Sequence, residues 1–348
     1  MNIKNMFSKI NIGVNLILWA GLFCFTSCHS IDEPENTTTG NFDMLWTILD
    51  EHYCFFEYKD IDWDEIKIKY RTQAQNATSS KQLFRIMAAM LDELKDGHVN
   101  LSAPFESSYY RAWWSDFPQN YNERLVQEKY MFFHYSQLGP VSYYLLPSNV
   151  GYLRIPTFDV GLGDGNIDYI LAAFQIASAL IIDIRDNGGG SMTVADDWIS
   201  HFIGYEICTG YISHKTGPGH DDFSEPYEMR VKPVTVGHWI WGKPVVVLTN
   251  RSTFSAANYF ATVMKSLPNV TLVGAKTGGG AGMPFSAELP CGWGVRFSAV
   301  PIYAPDSTLT EFGVDPSPGC AVDMSPADEL AGKDTMLDFA ISLLTSPK

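Results

Sequence analysis

The sequence predicts an α/β protein whose sheet-bearing part follows a small helical subdomain. Three observations carry this. From Val150 onward, short β-branched runs alternate with amphipathic helical stretches, the order that builds a mainly parallel sheet with crossover helices. From Asn41 to about Leu94, apolar residues recur at helical spacing. Finally, 348 residues with 46% hydrophobic and 18% charged side chains supply enough apolar surface for a packed core, and the length suggests about two domains.

Residues 1–27 read as a targeting segment. Lys4 and Lys9 give a positive start, and Gly13 to Phe25 is an apolar run, broken only by Asn15, too short to span a bilayer comfortably. Small residues then precede Cys28. The segment resembles a bacterial lipoprotein signal with Cys28 as the lipidated first residue, although Phe25 stands where leucine is usual; an ordinary secretory signal is the alternative. Both imply export to the cell envelope. The first adds a lipid anchor in the outer membrane, facing the periplasm or the exterior. Residues 28–40 are short, polar and acidic, suited to a tether.

Residues 41–100 form the expected helical subdomain. Phe42, Leu45, Trp46, Ile48 and Leu49 share one helical face, Trp63, Ile66 and Tyr70 a second. Ser79 with Gln82 marks a capping box for a third helix carrying Leu83, Ile86, Met87, Met90, Leu91 and Leu94. Residues 101–148 read as irregular and aromatic-rich, either a stacking platform for a ligand or, the preferred reading, aromatics packed on the core. Residues 149–348 form the α/β core. Strands are expected at Val150–Ile155, Ala179–Ile184, Pro244–Leu248 and Val270–Val273. Helices are expected at Ile167–Ile176, Val194–Phe202, Ser255–Lys265 and Asp334–Leu344, with a hairpin joining Phe285–Leu289 to Val295–Tyr303.

A net charge of −15 argues against a nucleic-acid partner, whose phosphates require basic neutralisation. Beyond Cys28, Cys54, Cys208, Cys291 and Cys320 are widely spaced, form no C-x-x-C pair and leave any pairing open. Phosphate-loop, H-E-x-x-H and G-x-S-x-G motifs are absent, and Gly161-Leu-Gly-Asp-Gly165 does not complete a dinucleotide fingerprint. His214, His220, Asp221 and Asp222 fit no standard metal spacing and read as a solvated turn, so no metal site is assigned.

Two strand-to-loop junctions carry the chemistry. Leu180-Ile-Ile-Asp-Ile-Arg-Asp-Asn-Gly-Gly-Gly190 ends a buried strand in three glycines ahead of a helix, where backbone N–H groups approach an anion or a developing oxyanion closely. Val247-Leu-Thr-Asn-Arg-Ser-Thr-Phe-Ser255 runs from a buried strand to a serine at a helix start. Such a serine serves as an N-cap or, in the same geometry, as a nucleophile.

These segments, with Leu94-Lys-Asp-Gly-His-Val99, Gly151-Tyr-Leu-Arg-Ile-Pro-Thr-Phe158, Val273-Gly-Ala-Lys-Thr-Gly-Gly279 and Glu311-Phe-Gly-Val-Asp-Pro316, resemble in order the tail-specific (C-terminal-processing) serine peptidases and the related tricorn core. The resemblance spans residues 41 to 345. It implies a crotonase-like core, a serine endopeptidase acting on peptide or protein substrates, and no metal or organic cofactor. It further implies Ser255 as nucleophile, and an oxyanion hole from the N–H groups of Ala256 and of Gly188 or Gly189. The processing branch places its lysine base where this chain has Gly280, leaving Lys276 as an alternative base. The tricorn-like branch uses a histidine and a glutamate, matched here by His98 and Glu311. That branch has a serine before its histidine where this chain has Gly97, and Asn258 replaces an acid common after the nucleophile. No PDZ module fits between Pro104 and Asn149, so C-terminal specificity does not carry over. The competing reading is a catalytically inactive ligand- or peptide-binding lipoprotein on the same fold; oligomeric state is left open.

Overall fold

The computed structural model describes residues 35–346. The signal segment, Cys28 and most of the tether lie outside these residues. Chain order begins with helices α1 (Thr38–His52), α2 (Phe56–Lys59), α3 (Trp63–Gln75) and α4 (Ser80–Asp92). The first starts inside the expected tether because Thr37 caps it, its hydroxyl accepting from the N–H of Gly40 at 3.0 Å. The last is capped by Ser79, which accepts from the N–H of Gln82, while Gln82 Oε1 reaches back to Thr78 rather than to Ser79.

The next segment departs from expectation. Residues 101–148 hold strands β1 (Asn100–Ala103), β2 (Glu106–Tyr109), β3 (Ser136–Leu138) and β4 (Val141–Leu145), with helices α5 (Ala112–Ser115) and α6 (Glu123–Lys129). They are short, and the first three carry polar residues, so a run-length criterion misses them. There follow β5 (Val150–Arg154), α7 (Asn166–Ala173), β6 (Ala179–Asp183), α8 (Met192–Ser200), β7 (Ile207–Ile212), β8 (Tyr227–Val231), β9 (Val245–Thr249), α9 (Ala256–Lys265), β10 (Val270–Gly274), β11 (Gly282–Glu288), β12 (Gly294–Tyr303), α10 (Pro326–Leu330) and α11 (Thr335–Thr345).

Two six-stranded sheets result. One has the order β10-β9-β6-β5-β4-β3, parallel from β10 to β5 and antiparallel beyond. Its central strands are buried on both faces, as parallel strands under crossover helices must be. Leu153, Ile182 and Val247 pack with helices α7 to α9, and Tyr152, Ile181 and Val246 with α6 and α11 on the other face. The second sheet runs β2-β1-β12-β7-β8, with β11 paired to β12 in the expected hairpin. Its Val295, Phe297 and Val300 form one apolar cluster with Phe42, Leu49, Met87 and Met90 of the helical subdomain. Cys54, Cys208, Cys291 and Cys320 are free thiols. No helix of the described residues is long and apolar enough to cross a membrane.

Candidate active site

The carboxyl ends of the neighbouring parallel strands β6 and β9 deliver the two loops singled out above, the position where open α/β sheets hold ligands. After β9, Asn250 to Phe254 turn back so that the N–H of Phe254 donates to Asn187 O at 3.0 Å and that of Ser255 to Gly279 O at 2.8 Å. Ser255 has φ 58° and ψ −122°, a conformation that costs a non-glycine residue on the order of 1–3 kcal/mol. Its hydroxyl makes no capping bond to α9. The N-cap role therefore does not explain this serine.

Its partner is His98, on the loop between α4 and β1, whose Nε2 lies 3.0 Å from Ser255 Oγ. His98 is 2% exposed, tilted against Phe254 at 4.8 Å between ring centroids. Its N–H donates to Asp96 Oδ1 at 2.8 Å, which fixes the loop. Burial pushes the imidazole down to about 4, against the opposing charge of Asp96 and with help from Arg296 and Lys59. A neutral ring is the form that can accept the seryl proton. The acid limb of kcat/KM, which reports the free enzyme, is accordingly expected near pH 4 rather than at the ordinary histidine value of about 6.5. The same shift destabilises the fold in acid: stability is full above about pH 6.5 and declines as pH falls toward the folded value. An acid limb at the ordinary value would show that the ring is hydrated in the working enzyme.

Glu311 sits close by but does not hydrogen-bond the imidazole. Its Oε1 accepts from Lys59 Nζ at 2.8 Å and its Oε2 from the N–H of Ala281 at 2.8 Å. Among the described residues His98 Nδ1 meets no partner. A direct orienting bond from Glu311 to His98 is thus corrected by the geometry, both carboxyl oxygens being taken by Lys59 and Ala281, and the Gly97 position offers no bridging hydroxyl. A side chain there has no room, since a Cβ would lie 2.5 Å from Trp113 Nε1 and 2.9 Å from Phe254 Cζ. Trp113 fills that space, stacked on Phe254 at 4.1 Å. Burial and the charge of Asp96 push the Glu311 carboxyl up to about 7, with Lys59 opposing.

The glycine loop after β6 lies against the nucleophile. A Cβ on Gly189 (φ 104°) would be 2.8 Å from Ser255 Cβ and 2.9 Å from Ala256 N. The N–H of Gly189, however, donates to Asn187 Oδ1 at 2.9 Å. The N–H groups of Gly188 and Ala256 make no hydrogen bond among the described residues, so of the three oxyanion candidates these two remain as donors. Lys276 ends 3.6 Å from Asp315 at the surface and makes no hydrogen bond to Ser255, which corrects it as an alternative base. Asn258 is buried and neutral; it donates to Thr310 Oγ1 and accepts from Thr277 Oγ1, joining the loops on either side of Glu311. His220 pairs with Asp50 at 2.9 Å.

A pocket of ≈ 200 Å³ opens beside Ser255, walled by Met192, Tyr259, Met283, Ile302 and Ala304 among others. The missed residues are Asp96 and Lys59. Asp96 lies inside the Lys-Asp-Gly-His stretch, two residues before His98, and that spacing is the signal that points to it. Lys59 ends the short helix α2 with no motif around it.

Residues 149–317 match peptidase family S41 and residues 34–92 the tricorn protease C1 domain. A candidate peptidase of solved structure from Parabacteroides merdae ATCC 43184 is 42% identical, with a TM-score of 0.84 over 90% of this chain and 98% of its own. Mature CPAF, at 13% identity and a TM-score of 0.67, covers 88% of this chain and 96% of its own, a likeness of fold alone. The tricorn protease of Thermoplasma acidophilum is 27% identical over 201 residues, 56% of this chain, which spans only 16% of that protein's length. With two matched segments in chain order and a 42%-identical relative covered almost end to end, the chain belongs to peptidase family S41, on the tricorn-like side of these serine peptidases.

Proposed function

We propose that the protein is a serine endopeptidase that works through an acyl-enzyme on Ser255. The observation that carries this is the 3.0 Å approach of His98 Nε2 to a strained, non-capping serine hydroxyl. His98 takes the hydroxyl proton as Ser255 Oγ bonds to the substrate carbonyl carbon. The oxyanion faces the N–H groups of Ala256 and Gly188, each such donor being worth roughly 2.7–4 kcal/mol in the transition state. Collapse breaks the C–N bond as His98 returns the proton to the leaving amine, and water then releases the acyl group by the same steps. Asp96 stabilises the imidazolium through its charge rather than by a bond to Nδ1, and Glu311 orients the site by anchoring Lys59 and the N–H of Ala281.

The sheet and its crossover helices form a crotonase-like core in this reading, and residues 41–100 and 149–348 act as helical subdomain and peptidase core. The free edge of β11, whose Gly282, Met283 and Pro284 line the pocket, suits an extended peptide bound by main-chain hydrogen bonds. Export as a lipoprotein through Cys28 completes the reading, and the mass of the mature N-terminus checks it.

The Nδ1 of His98, without a partner among the described residues, favours the second reading, an inactive peptide- or ligand-binding protein. Intact-mass analysis after fluorophosphonate treatment separates the two. A single adduct that maps to Ser255 is expected; no adduct at neutral or alkaline pH would overturn catalysis and leave binding as the function.

A further inference from the structure

Beneath the catalytic pair lies a buried charge cluster. Lys59, at the end of α2, has a side chain 4% exposed. Its Nζ donates to Glu311 Oε1 at 2.8 Å and to Leu94 O at 3.3 Å, and lies 3.5 Å from Asp96 Oδ2. The rings of Phe55, Tyr53 and Phe312 stand 5.4, 5.8 and 5.9 Å from it. One cation therefore faces two buried carboxylates in an apolar cage, where an unpaired charge is strongly disfavoured.

Each carboxylate grips a different half of the site. Asp96 Oδ1 accepts the N–H of His98, while its Oδ2 accepts the hydroxyls of Tyr53 and Ser298. Glu311 Oε2 accepts the N–H of Ala281, and Glu311 O that of Gly280 at 3.1 Å. Gly279, the next residue back, accepts the N–H of Ser255. The chain that holds the base and the chain that holds the nucleophile thus converge on one ammonium group.

We propose that Lys59 is a positioning residue of the peptidase site, joining the His98 and Ser255 loops through Asp96 and Glu311 and setting the charge that His98 senses. The inference rests on the serine-peptidase reading for its catalytic consequence, but its electrostatic consequence stands without it. The charged and titratable groups around the cluster are Tyr53, Cys54, Tyr58, Asp96, Glu311, His98 and Arg296. Asp96 stays below its ordinary range although burial works to raise it, because Lys59 and His98 oppose that burial. Remove the lysine, and the Asp96 carboxylate faces the imidazole with burial and the Arg296 charge alone working against its protonation.

The test is titration of the His98 ring by multiple-bond ¹H–¹⁵N NMR in the full exported chain, in wild type, Lys59→Met and Lys59→Arg. In Lys59→Met the His98 midpoint is expected to rise by about one pH unit or more. Lys59→Arg, which keeps the charge, is expected to stay within about half that shift of wild type. In parallel, kcat/KM for a peptide and the rate of fluorophosphonate labelling should fall roughly 10²-fold in Lys59→Met with little change in KM, the scale expected from a small misplacement of reacting groups. A folded Lys59→Met with an unmoved His98 midpoint and wild-type labelling overturns the proposal. If Lys59→Met does not fold, Lys59→Gln is the deciding variant. It removes the positive charge but keeps a hydrogen-bond donor for the carboxylates, and its His98 midpoint must rise; an unmoved or lowered midpoint overturns the proposal. Wild type without any Ser255 adduct but with the Lys59-dependent His98 shift would sink the peptidase reading and leave the coupling intact.

Discussion

Ser255→Ala is expected to lower kcat by roughly 10⁶-fold, and His98→Ala by a comparable factor, because the two act as one unit. The seryl oxygen is the atom that bonds to the acyl carbon, and the 3.0 Å contact with Nε2 is the route by which its proton leaves. Removing either end of that contact removes the covalent path. The double variant should then be no slower than either single variant, a non-additivity that distinguishes a working pair from two residues that merely touch. A residual rate of roughly 10³-fold over water is expected to survive, from the oxyanion donors at Gly188 and Ala256 and from substrate binding. Steady-state cleavage of a peptide by the three variants, with folding checked by circular dichroism, measures this. A His98→Ala enzyme within about tenfold of wild type would move the base elsewhere, since a positioned general base contributes at least about 10²-fold.

What the chain reveals about itself before folding divides along physical lines. Ala179–Asp183 and Val245–Thr249 are wholly apolar up to their polar last residue and buried on both faces, so hydrophobicity alone locates them. Phe285–Leu289 and Val295–Tyr303 show their hairpin through the intervening Pro-Cys-Gly-Trp-Gly turn. Strands such as Glu106–Tyr109 and Ser136–Leu138 escape notice because they are three or four residues long and half exposed, and owe their extended form to a partner strand. The site divides the same way. Ser255, His98 and the glycine loop are legible because their chemistry demands particular residue types at a strand end or a glycine turn. Glu311 is legible as a site residue, but its bond to Lys59 joins positions 252 apart in the chain. No local pattern encodes that distance. Nor does any pattern show that Trp113, in an aromatic-rich stretch, fills the space beside Gly97.

The largest stability effect is expected at Arg185, whose truncation to methionine should cost about 3–5 kcal/mol, the range for breaking a buried ion pair from one side. Arg185 is fully buried two residues past the end of β6. Its Nη2 donates to Asp183 Oδ2 at 2.6 Å and its Nη1 to Asp334 Oδ2 at 2.9 Å, and its guanidinium lies 4.4 Å from the centre of the Tyr121 ring. Asp183 also accepts from Tyr152 OH at 2.7 Å. Methionine fills much of the same volume but leaves two carboxylates in an apolar interior. Burial works to raise the Asp183 carboxyl, yet Arg185 holds it below the ordinary range. Such a depressed carboxylate contributes stability that is present above about pH 4 and lost as pH falls through its folded value. The gap between wild type and Arg185→Met in urea unfolding should therefore be widest near neutrality, narrow as pH falls toward about 4 because protonation relieves the stranded acids, and narrow further below it as the wild type loses its paired carboxylate. Adding Asp334→Asn to Arg185→Met should cost less than the sum of the separate changes, since the neutral amide no longer needs the cation. Function follows from the same geometry. Arg185 is two residues from Asn187, which accepts the N–H of Gly189 and donates to Ile155 O, so a loosened arginine frees the loop that brings Gly188 to the nucleophile. Labelling of Ser255 in Arg185→Met should then be slower than wild type even where urea titration shows the fold intact. Equal labelling rates under those conditions would confine the arginine to stability alone.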